Sequence, residues 1–213
     1  MGPLTLYTSG STKEPKLVYH DNIEKHVKRS IKEIGLTPSD RVLNVFPANV
    51  IATYTVTAVP AITAGSHLFT SLFDPFTYVK IFREFKPTYT SLIPRHIELL
   101  SKTKEWNSFN MSSLRYLVTG SQAVEQWMID ALLERGVKVV ANWYGMTEMP
   151  PPVFIGYNSV QFDFSPKEDY SVEFADDGEC IVNGIYTRDV FDVTNRVFVT
   201  RKNQANGNTW KTI

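Results

Sequence analysis

The sequence predicts an α/β fold: a mostly parallel sheet flanked by helices, followed by a small β-rich subdomain. Over the first two thirds of the chain, short apolar runs alternate with segments whose apolar residues recur every three or four positions. This alternation is typical of β-α-β units, whose strands run parallel. After Pro150-Pro151-Pro152 the helical spacing disappears and only short strand patterns follow. We therefore predict an α/β subdomain at residues 1–150 and a β-rich subdomain at residues 151–213.

The α/β subdomain begins with one predicted strand and two helices of different character. Residues 4–8 form an apolar run typical of a strand. Residues 22–34 carry apolar side chains at every third or fourth position, which predicts an amphipathic helix that ends at Gly35. Residues 49–64 are apolar nearly throughout and predict a helix that is kinked at Pro60. The remaining elements alternate, with strands at 42–46, 67–70, 89–92, 114–118 and 137–141 and helices at 75–85, 94–102 and 124–135.

The β-rich subdomain is predicted from short strand patterns separated by turns. One turn, Asp176-Asp177-Gly178, has the composition of a β-hairpin connection. The strands that we expect lie at residues 153–155, 171–174, 179–182 and 196–200.

Composition argues against a nucleic-acid or membrane partner. The 22 basic and 22 acidic residues give a formal net charge of zero, so no basic excess favours nucleic acid. No apolar run approaches the roughly 20 residues that span a bilayer, and the first residues do not resemble a secretory signal. Cys180 is the only cysteine, which excludes an internal disulfide and favours a reducing compartment. We expect a cytoplasmic protein.

The stretch that follows the first predicted strand has the chemistry of a phosphate site. A bound phosphate needs converging backbone N–H groups, hydroxyl donors and a positive charge. Lys16 supplies the charge, and the glycine and hydroxyl residues before it are Thr8, Ser9, Gly10, Ser11 and Thr12. The pattern differs from the G-x-x-x-x-G-K-[ST] loop of other nucleotide-binding proteins. On composition alone, a Ser/Thr-rich turn without a ligand explains it about equally well.

Two motifs resemble those of adenylate-forming enzymes, the family of acyl-CoA synthetases, luciferases and peptide-synthetase adenylation domains. Tyr7-Thr8-Ser9-Gly10-Ser11-Thr12-x-x-Pro15-Lys16 is similar to the family's phosphate loop T-S-G-S-T-G-x-P-K, with Lys13 in place of a glycine. Asn142-Trp143-Tyr144-Gly145-Met146-Thr147-Glu148 resembles the family's Y-G-x-T-E motif. The second motif alone would also fit a strand that ends in a turn with a buried tyrosine. The two together, in the family's order and at about its separation, favour the resemblance.

The resemblance implies roles for residues of both motifs. Ser9, Ser11, Thr12 and Lys16 would hold the phosphates of ATP. Tyr144 would lie against the adenine, Thr147 would contact the α-phosphate, and Glu148 would bind Mg²⁺, which prefers hard carboxylate oxygens. ATP and Mg²⁺ are therefore the expected cofactors, and the expected catalytic residues are Lys16, Thr147 and Glu148.

Weaker matches extend the expected nucleotide site. Gly120-Ser121-Gln122 follows a predicted strand, as does the glycine-rich segment that lines the acyl and adenine pocket in the family. Asp189 lies where the family's T-G-D motif has the aspartate that holds the ribose hydroxyls, with Arg188 in place of the glycine. Arg201 resembles the arginine of the family's hinge. The alternatives are a surface carboxylate for Asp189 and a surface basic residue for Arg201. We also assign Asn142, Trp143 and Gly145 to this site.

The remaining chemically distinctive residues are expected to have structural roles. The four histidines lack the spacing of metal ligands, so we expect packing or surface positions for His20, His26, His67 and His96. We expect Cys180 to be a small core residue. An aromatic set is likewise assigned to the core: Phe73, Phe76, Tyr78, Phe82 and Phe85.

The resemblance implies adenylation of a carboxylic acid by MgATP, which gives acyl-AMP and pyrophosphate. CoA or a carrier protein would be the later acyl acceptor. The resemblance covers less than half of a typical family member and leaves out the C-terminal domain, which supplies a lysine to the reaction. We therefore expect slow adenylation, with a second copy or a complementary subunit as a partner. The alternatives are a non-catalytic nucleotide- or acyl-binding protein, one subunit of a split synthetase, or an excised fragment.

Overall fold

The structure is a computed structural model that describes residues 2–8, 16–202 and 209–210. For residues 8, 16, 209 and 210 it describes the backbone alone. Most of the predicted phosphate loop therefore lies outside the described residues, including Ser9, Gly10, Ser11 and Thr12.

The first two strands form an antiparallel hairpin. β1 (Leu4–Thr8) pairs with β2 (Lys16–His20). The strand predicted at residues 4–8 is present, but it lies outside the parallel sheet, and its partner was not predicted. The hairpin brings the backbones of Thr8 and Lys16 opposite each other.

A six-stranded sheet forms the centre of the fold. Its strands are β3 (Arg41–Asn44), β4 (His67–Thr70), β5 (Tyr89–Ser91), β6 (Tyr116–Gly120), β7 (Val140–Tyr144) and β8 (Phe154–Tyr157). The strand order is β4-β3-β5-β6-β7-β8; β3 to β7 run parallel, and β8 is antiparallel to β7. The predicted mostly parallel sheet is confirmed. β8 was expected in the β-rich subdomain but completes this sheet, while the division of the chain into two subdomains stays a prediction.

Helices cover both faces of the central sheet, as a parallel sheet requires. They are α1 (Glu24–Ile34), α2 (Ile51–Thr55), α3 (Ala58–Thr63), α4 (Pro75–Phe85), α5 (Pro94–Ser101) and α6 (Gln126–Glu134). One apolar core joins the sheet to α4, α5 and α6, with Leu43 and Leu117 among its buried residues. A second core joins the opposite face to α1, α2 and α3, with Val42 and Tyr116 among its buried residues.

The helix predicted at residues 49–64 is two short helices, and the predicted kink at Pro60 is wrong. The break falls at Val56 and Thr57, between α2 and α3. The Thr57 hydroxyl donates to Asn44 Oδ1 at 2.6 Å, which ties the break to β3. Pro60 lies in the first turn of α3, where a missing N–H removes no bond within the helix.

The β-rich part is an antiparallel sheet in the order β13-β12-β11-β10-β9. Its strands are β9 (Val172–Phe174), β10 (Glu179–Val182), β11 (Ile185–Asp192), β12 (Val197–Lys202) and β13 (Thr209–Trp210). A hairpin turn joins β9 to β10 as predicted, with Gly178 at φ +83°. β11 was not predicted, because Arg188 and Asp189 interrupt its apolar pattern. A third core packs this sheet against the end of the central one through Tyr144, Phe154 and Phe191.

The residues that were expected to have structural roles differ in how deeply they are buried. Cys180 is fully buried, and His26 is buried between α1 and the segment that contains Tyr170. Phe76 is an error of prediction: it lies on the outer face of α4 with 68% of its surface exposed. The other four aromatic residues of that set are buried or packed against the first core.

Candidate functional site

A cavity of about 380 Å³ lies at the carboxyl ends of β6 and β7. Ligands of open α/β sheets bind at this edge, because the loops that leave parallel strands diverge there. One wall is the segment from β6 into α6, a second follows β7, and a third comes from β11 and β12. The cavity is lined by Gly120, Ser121, Gln122, Ala123, Val124, Glu125, Gln126, Asn142, Trp143, Tyr144, Gly145, Val160, Phe162, Asp189, Val197, Phe198 and Arg201.

Three segments that are distant in sequence thus contribute their predicted residues to one cavity. Gly120, Ser121 and Gln122 come from the end of β6. Asn142, Trp143, Tyr144 and Gly145 come from β7 and the residue after it. Asp189 and Arg201 come from β11 and β12, where they are directly opposite each other in the strand register.

The end of β6 turns sharply because its last residue has no side chain. Gly120 has φ +151°, and a Cβ there would lie 2.3 Å from the carbonyl oxygen of Trp143. Ser121 continues the turn at φ +67°. Gln122 then reaches back to α5, where its Oε1 accepts from the backbone N–H of Arg95 at 3.3 Å. The three residues of this turn line the cavity.

Tyr144 contacts the buried aromatic residues behind the cavity. Its ring is stacked on Phe154 with centroids 4.6 Å apart and an interplanar angle of 13°. Phe191 meets it edge-on at 5.1 Å. The Tyr144 hydroxyl donates to Asp189 Oδ2 at 2.8 Å. Burial raises the pKa of Tyr144 well above its usual value, so the hydroxyl stays protonated and remains a donor.

Asp189 is a buried carboxylate with two partners. It accepts from Tyr144, and Arg201 Nε lies 3.6 Å from its other oxygen, Oδ1. Burial raises the pKa of Asp189, while the positive charge of Arg201 and the bond from Tyr144 act in the opposite direction. The carboxylate therefore reaches the cavity on a rigid strand, with its orientation fixed from both sides. The alternative of a surface carboxylate is wrong, since Asp189 is 5% exposed.

Arg188 occupies the position at which the family motif has glycine, and its backbone still has the glycine-like conformation. Its φ is +67°, in the left-handed region that non-glycine residues adopt with strain. Its backbone N–H donates to Glu179 Oε1 at 2.8 Å, which holds the turn against β10. Arg188 therefore has a backbone conformation that favours glycine, directly before Asp189.

Thr147 and Glu148 lie beyond the end of β7, in a turn next to the cavity lining. Met146 and Met149 exchange two backbone hydrogen bonds, which close this turn. Glu148 is exposed and Thr147 is half-buried. Because Gly145 has no side chain, the backbone of the turn can approach Pro151 closely. A Cβ at Gly145 would lie 2.7 Å from Pro151 Cα. These two predicted residues are thus neighbours of the cavity in sequence but are not among the residues that line it.

Trp143 differs from the other predicted residues of this segment. It is 3% exposed, and its side chain belongs to the core on the α1–α3 side of the sheet, together with Tyr116 and Ile155. Asn142 and Tyr144 alternate with it and belong to the opposite face, as the two-residue repeat of a strand requires. The indole of Trp143 is therefore a core group.

The predicted phosphate loop is bounded by Thr8 and Lys16. The structure describes the backbones of these two residues but not their side chains.

Several residues of the cavity were not predicted. Val124, Val160, Phe162, Val197 and Phe198 are apolar residues that carry no chemical signature in the sequence. Val124 follows β6, Val160 and Phe162 follow β8, and Val197 and Phe198 are on β12, so they meet only in the folded chain. Gln126 was also missed: its side-chain oxygen accepts from the backbone N–H of Val160 at 3.1 Å, which links two walls of the cavity.

Comparison with known proteins identifies the family. The sequence pattern of a family described as AMP-binding enzyme matches residues 4–174. The chain belongs to this family. Among curated relatives, feruloyl-CoA synthase from Amycolatopsis sp is 29% identical over 155 residues, which are 71% of this chain and 31% of that protein. Indoleacetate–CoA ligase from Aromatoleum aromaticum is 31% identical over 151 residues, or 70% of this chain and 29% of that protein.

The chain spans about a third of the length of these curated relatives. Solved structures show that the fold is that of adenylate-forming enzymes. O-succinylbenzoate coenzyme A synthetase from Bacillus subtilis, in complex with ATP and magnesium ion, has a TM-score of 0.76 at 19% identity. That match covers 97% of this chain and 52% of the other. An amide bond synthetase from Marinactinospora thermotolerans has a TM-score of 0.71 at 19% identity, with coverages of 92% and 48%.

Two further properties concern metals and membranes. In the parts of the chain that the structure describes, no group of three or more His, Cys, Asp or Glu side chains could hold a metal ion by itself. None of the described helices is long and apolar enough to cross a membrane.

Proposed function

We propose that this chain binds MgATP in the cavity at the ends of β6 and β7, and that it carries the adenylation chemistry of an acid-activating ligase. The observation that carries the proposal is the convergence of Tyr144, Asp189 and Arg201 on one cavity from three strands. Tyr144 offers an aromatic face to the adenine, and Asp189 offers carboxylate oxygens to the ribose hydroxyls. Membership of the AMP-binding enzyme family supports a nucleotide as the ligand.

The proposed reaction joins a carboxylate to the α-phosphorus of ATP. A carboxylate oxygen attacks that phosphorus, the bond from it to the bridging oxygen of the β-phosphate breaks, and pyrophosphate leaves with both bonding electrons. The products are acyl-AMP and pyrophosphate. Thr147 is expected to donate to the α-phosphate, and Ser9, Ser11, Thr12 and Lys16 to hold the leaving group. Fixed donors and charges of this kind accelerate the reaction because they stabilise the charge that develops on the phosphate oxygens.

Glu148 suits the proposed magnesium site. Mg²⁺ is usually held by one or two carboxylates together with substrate phosphates and water. An exposed carboxylate in the turn after β7 provides one such ligand, and a metal site made of protein groups alone is not required. The ion would neutralise charge on the phosphates when it is bound.

The acid and the acyl acceptor are proposed from the relatives. Feruloyl-CoA synthase and indoleacetate–CoA ligase are named for acids that carry an aromatic ring and for CoA. We propose a carboxylic acid as the substrate, with aromatic acids as the first to test, and CoA or a carrier protein as the acceptor. A second copy of the chain or a complementary subunit is proposed as a further partner.

The test is turnover with MgATP and a panel of carboxylic acids, followed by mass spectrometry for acyl-AMP and by release of pyrophosphate. Glu148→Ala should lower the rate of adenylation about 10²–10³-fold, because it removes one preorganised charge-stabilising group. Its unfolding midpoint should stay close to that of the wild type, since Glu148 is exposed. Glu84→Ala, at an exposed glutamate on α4, is the matched control. Equal rates for Glu148→Ala and the wild type would refute the role given to Glu148.

A second candidate is a nucleotide-binding subunit without activity of its own. It is favoured by the positions of Thr147 and Glu148, which are not among the residues that line the cavity. In that case the chain binds ATP but releases neither AMP nor pyrophosphate with any acid of the panel. Calorimetric titration with ATP, run beside the turnover assay, distinguishes the two candidates.

A further inference from the structure

Tyr144 and Phe154 are directly opposite each other on β7 and β8. Their side chains therefore project from the same face of the sheet, and their rings are stacked nearly parallel at 4.6 Å. Phe154 is fully buried, whereas Tyr144 lines the cavity. One face of Tyr144 is thus occupied by a buried ring, and the space for a ligand must lie elsewhere around it.

Among the residues that the structure describes, no aromatic ring lies on the second face of Tyr144. A ring on that face would be about twice as far from Phe154 as Tyr144 is. Phe191 instead lies 5.1 Å from Tyr144 and 5.5 Å from Phe154, so it is beside the stack. Phe162 lies 6.5 Å from Tyr144 and only 5.1 Å from Phe154, so it is beside the stack as well. None of the described rings that contact Tyr144 covers its second face.

The hydroxyl end of Tyr144 is fixed independently of its ring. It donates to Asp189 Oδ2 at 2.8 Å. The ring is therefore held from behind by Phe154, along one edge by Phe191 and at its tip by Asp189. Such a ring cannot swing aside without breaking a partly buried hydrogen bond and separating a stacked pair, which together hold it in one orientation.

On the opposite side of β7, the end of β6 also borders the cavity. β6 ends at Gly120, which is paired with Trp143 and packs directly against its backbone. The strand ends therefore carry a buried ring on β8, the tyrosine ring on β7 and a residue without a side chain on β6.

We propose that Phe154 is a positioning residue for base binding, which fixes Tyr144 so that only one face of its ring is presented to a planar heteroaromatic base. This inference rests on the proposed function and extends it to a residue that does not itself line the cavity. Phe154 adds no contact to the ligand. It contributes by keeping the stacking surface in place before the ligand arrives, so that less ordering accompanies binding.

The test compares two substitutions in the same aromatic cluster. Phe154→Leu removes the ring behind Tyr144. Phe164→Leu is the matched control, because Phe164 touches Phe154 at 5.1 Å but is not among the described rings that contact Tyr144. Calorimetric titration measures the affinity of each variant for MgATP and for magnesium tripolyphosphate, which lacks the base and the ribose.

We expect Phe154→Leu to weaken ATP binding about two- to tenfold, the value of one aromatic pair, and to leave tripolyphosphate binding unchanged. Phe164→Leu should change neither affinity, although both variants should unfold at a lower temperature. Phe154→Tyr keeps the ring and should restore ATP affinity. The near-ultraviolet circular dichroism of Phe154→Leu should differ from that of the wild type once Tyr144 loses its fixed environment. If Phe154→Leu does not fold, Phe154→Met takes its place.

Equal losses of ATP affinity in Phe154→Leu and Phe164→Leu would overturn the inference, because the effect would then be one of general stability. Equal losses for ATP and tripolyphosphate would overturn it as well, because the base would not be involved. Failure of the wild-type chain to bind ATP would instead contradict the proposed function itself.

Discussion

The two ends of the candidate site are built differently. The end that we assign to adenosine consists of Tyr144 and Asp189, which are held by a partly buried hydrogen bond between two separate sheets. The end that we assign to the phosphates and the metal begins at Thr147 and Glu148, in a short turn closed by two backbone hydrogen bonds. Changes at the first end should therefore alter stability and affinity together. Changes at the second end should alter turnover with little effect on stability, as expected for Glu148→Ala.

The largest effect on stability is expected at Gly120, where the adenosine end is most closely packed. Gly120→Ala would place a Cβ 2.3 Å from the backbone oxygen of Trp143, and neither group can move without separating β6 from β7. We expect a loss of about 3 kcal/mol or more in the free energy of unfolding, measured by urea denaturation. Gly184→Ala is the control: its φ of +75° is similarly unfavourable, but nothing lies within 4 Å of the added Cβ. It should cost about 1 kcal/mol. Equal losses would show that the strands do not pack as closely as described.

A smaller effect is expected at Asp189, on affinity and on its dependence on pH. Asp189→Asn should weaken adenosine binding about tenfold, because the charge-assisted bonds to the ribose hydroxyls become neutral ones. Burial raises the pKa of Asp189, so in the wild type the carboxylate takes up a proton at a higher pH than an exposed aspartate does. Adenosine affinity should therefore be complete well above this pKa and decrease as the pH falls through it.

Adenosine is the right probe for this experiment, because it carries no phosphate that titrates in the same range. Asp189→Asn should remove the decrease on the acid side. A wild-type affinity that stays constant down to pH 4 would contradict the assignment of the ribose to Asp189.

The smallest effect, and the only gain, is expected at Arg188. Arg188→Gly relieves a positive φ in a residue with a side chain and should raise the free energy of unfolding by about 1 kcal/mol. Arg188→Ala removes the same side chain without relieving the backbone and serves as the control. The difference between the two variants in thermal or urea unfolding isolates the backbone contribution. If both variants lose stability equally, the arginine side chain outweighs the strain, and the substitution at this motif position is itself stabilising.

Much of the fold could be predicted because local signals agreed with the tertiary structure. α4 begins at a Pro that follows the capping residue Asp74, and the sequence places it at residues 75–85, where the structure has it. α1 ends where Gly35 adopts the left-handed conformation. The helix at residues 49–64 failed because its break at Thr57 is caused by a hydrogen bond to Asn44 on another element. No local pattern reveals such a bond.

The candidate site likewise combines features that local sequence patterns predict with features that depend on distant elements. The motif around Tyr144 could be recognised from consecutive residues, since the spacing of a strand followed by a glycine turn is local. The contact of Tyr144 with Phe154 could not, because it depends on β8 joining the central sheet and not the β-rich part. The apolar wall of Val160 and Phe198 was invisible for a related reason: isolated apolar residues become a cavity only when three strands meet.

By itself the sequence determined the alternation of strands and helices, the mostly parallel sheet and the residue types offered to a nucleotide, because each depends on periodicity or on consecutive residues. Only the tertiary structure decided that β8 closes the sheet, that Asp189 meets both Tyr144 and Arg201, and that Trp143 faces the core. These outcomes depend on which strands become neighbours, and neighbours distant in sequence are chosen by the burial of apolar surface over the whole chain. That choice placed one face of Tyr144 against Phe154 and, among the described residues, left the other without an aromatic contact.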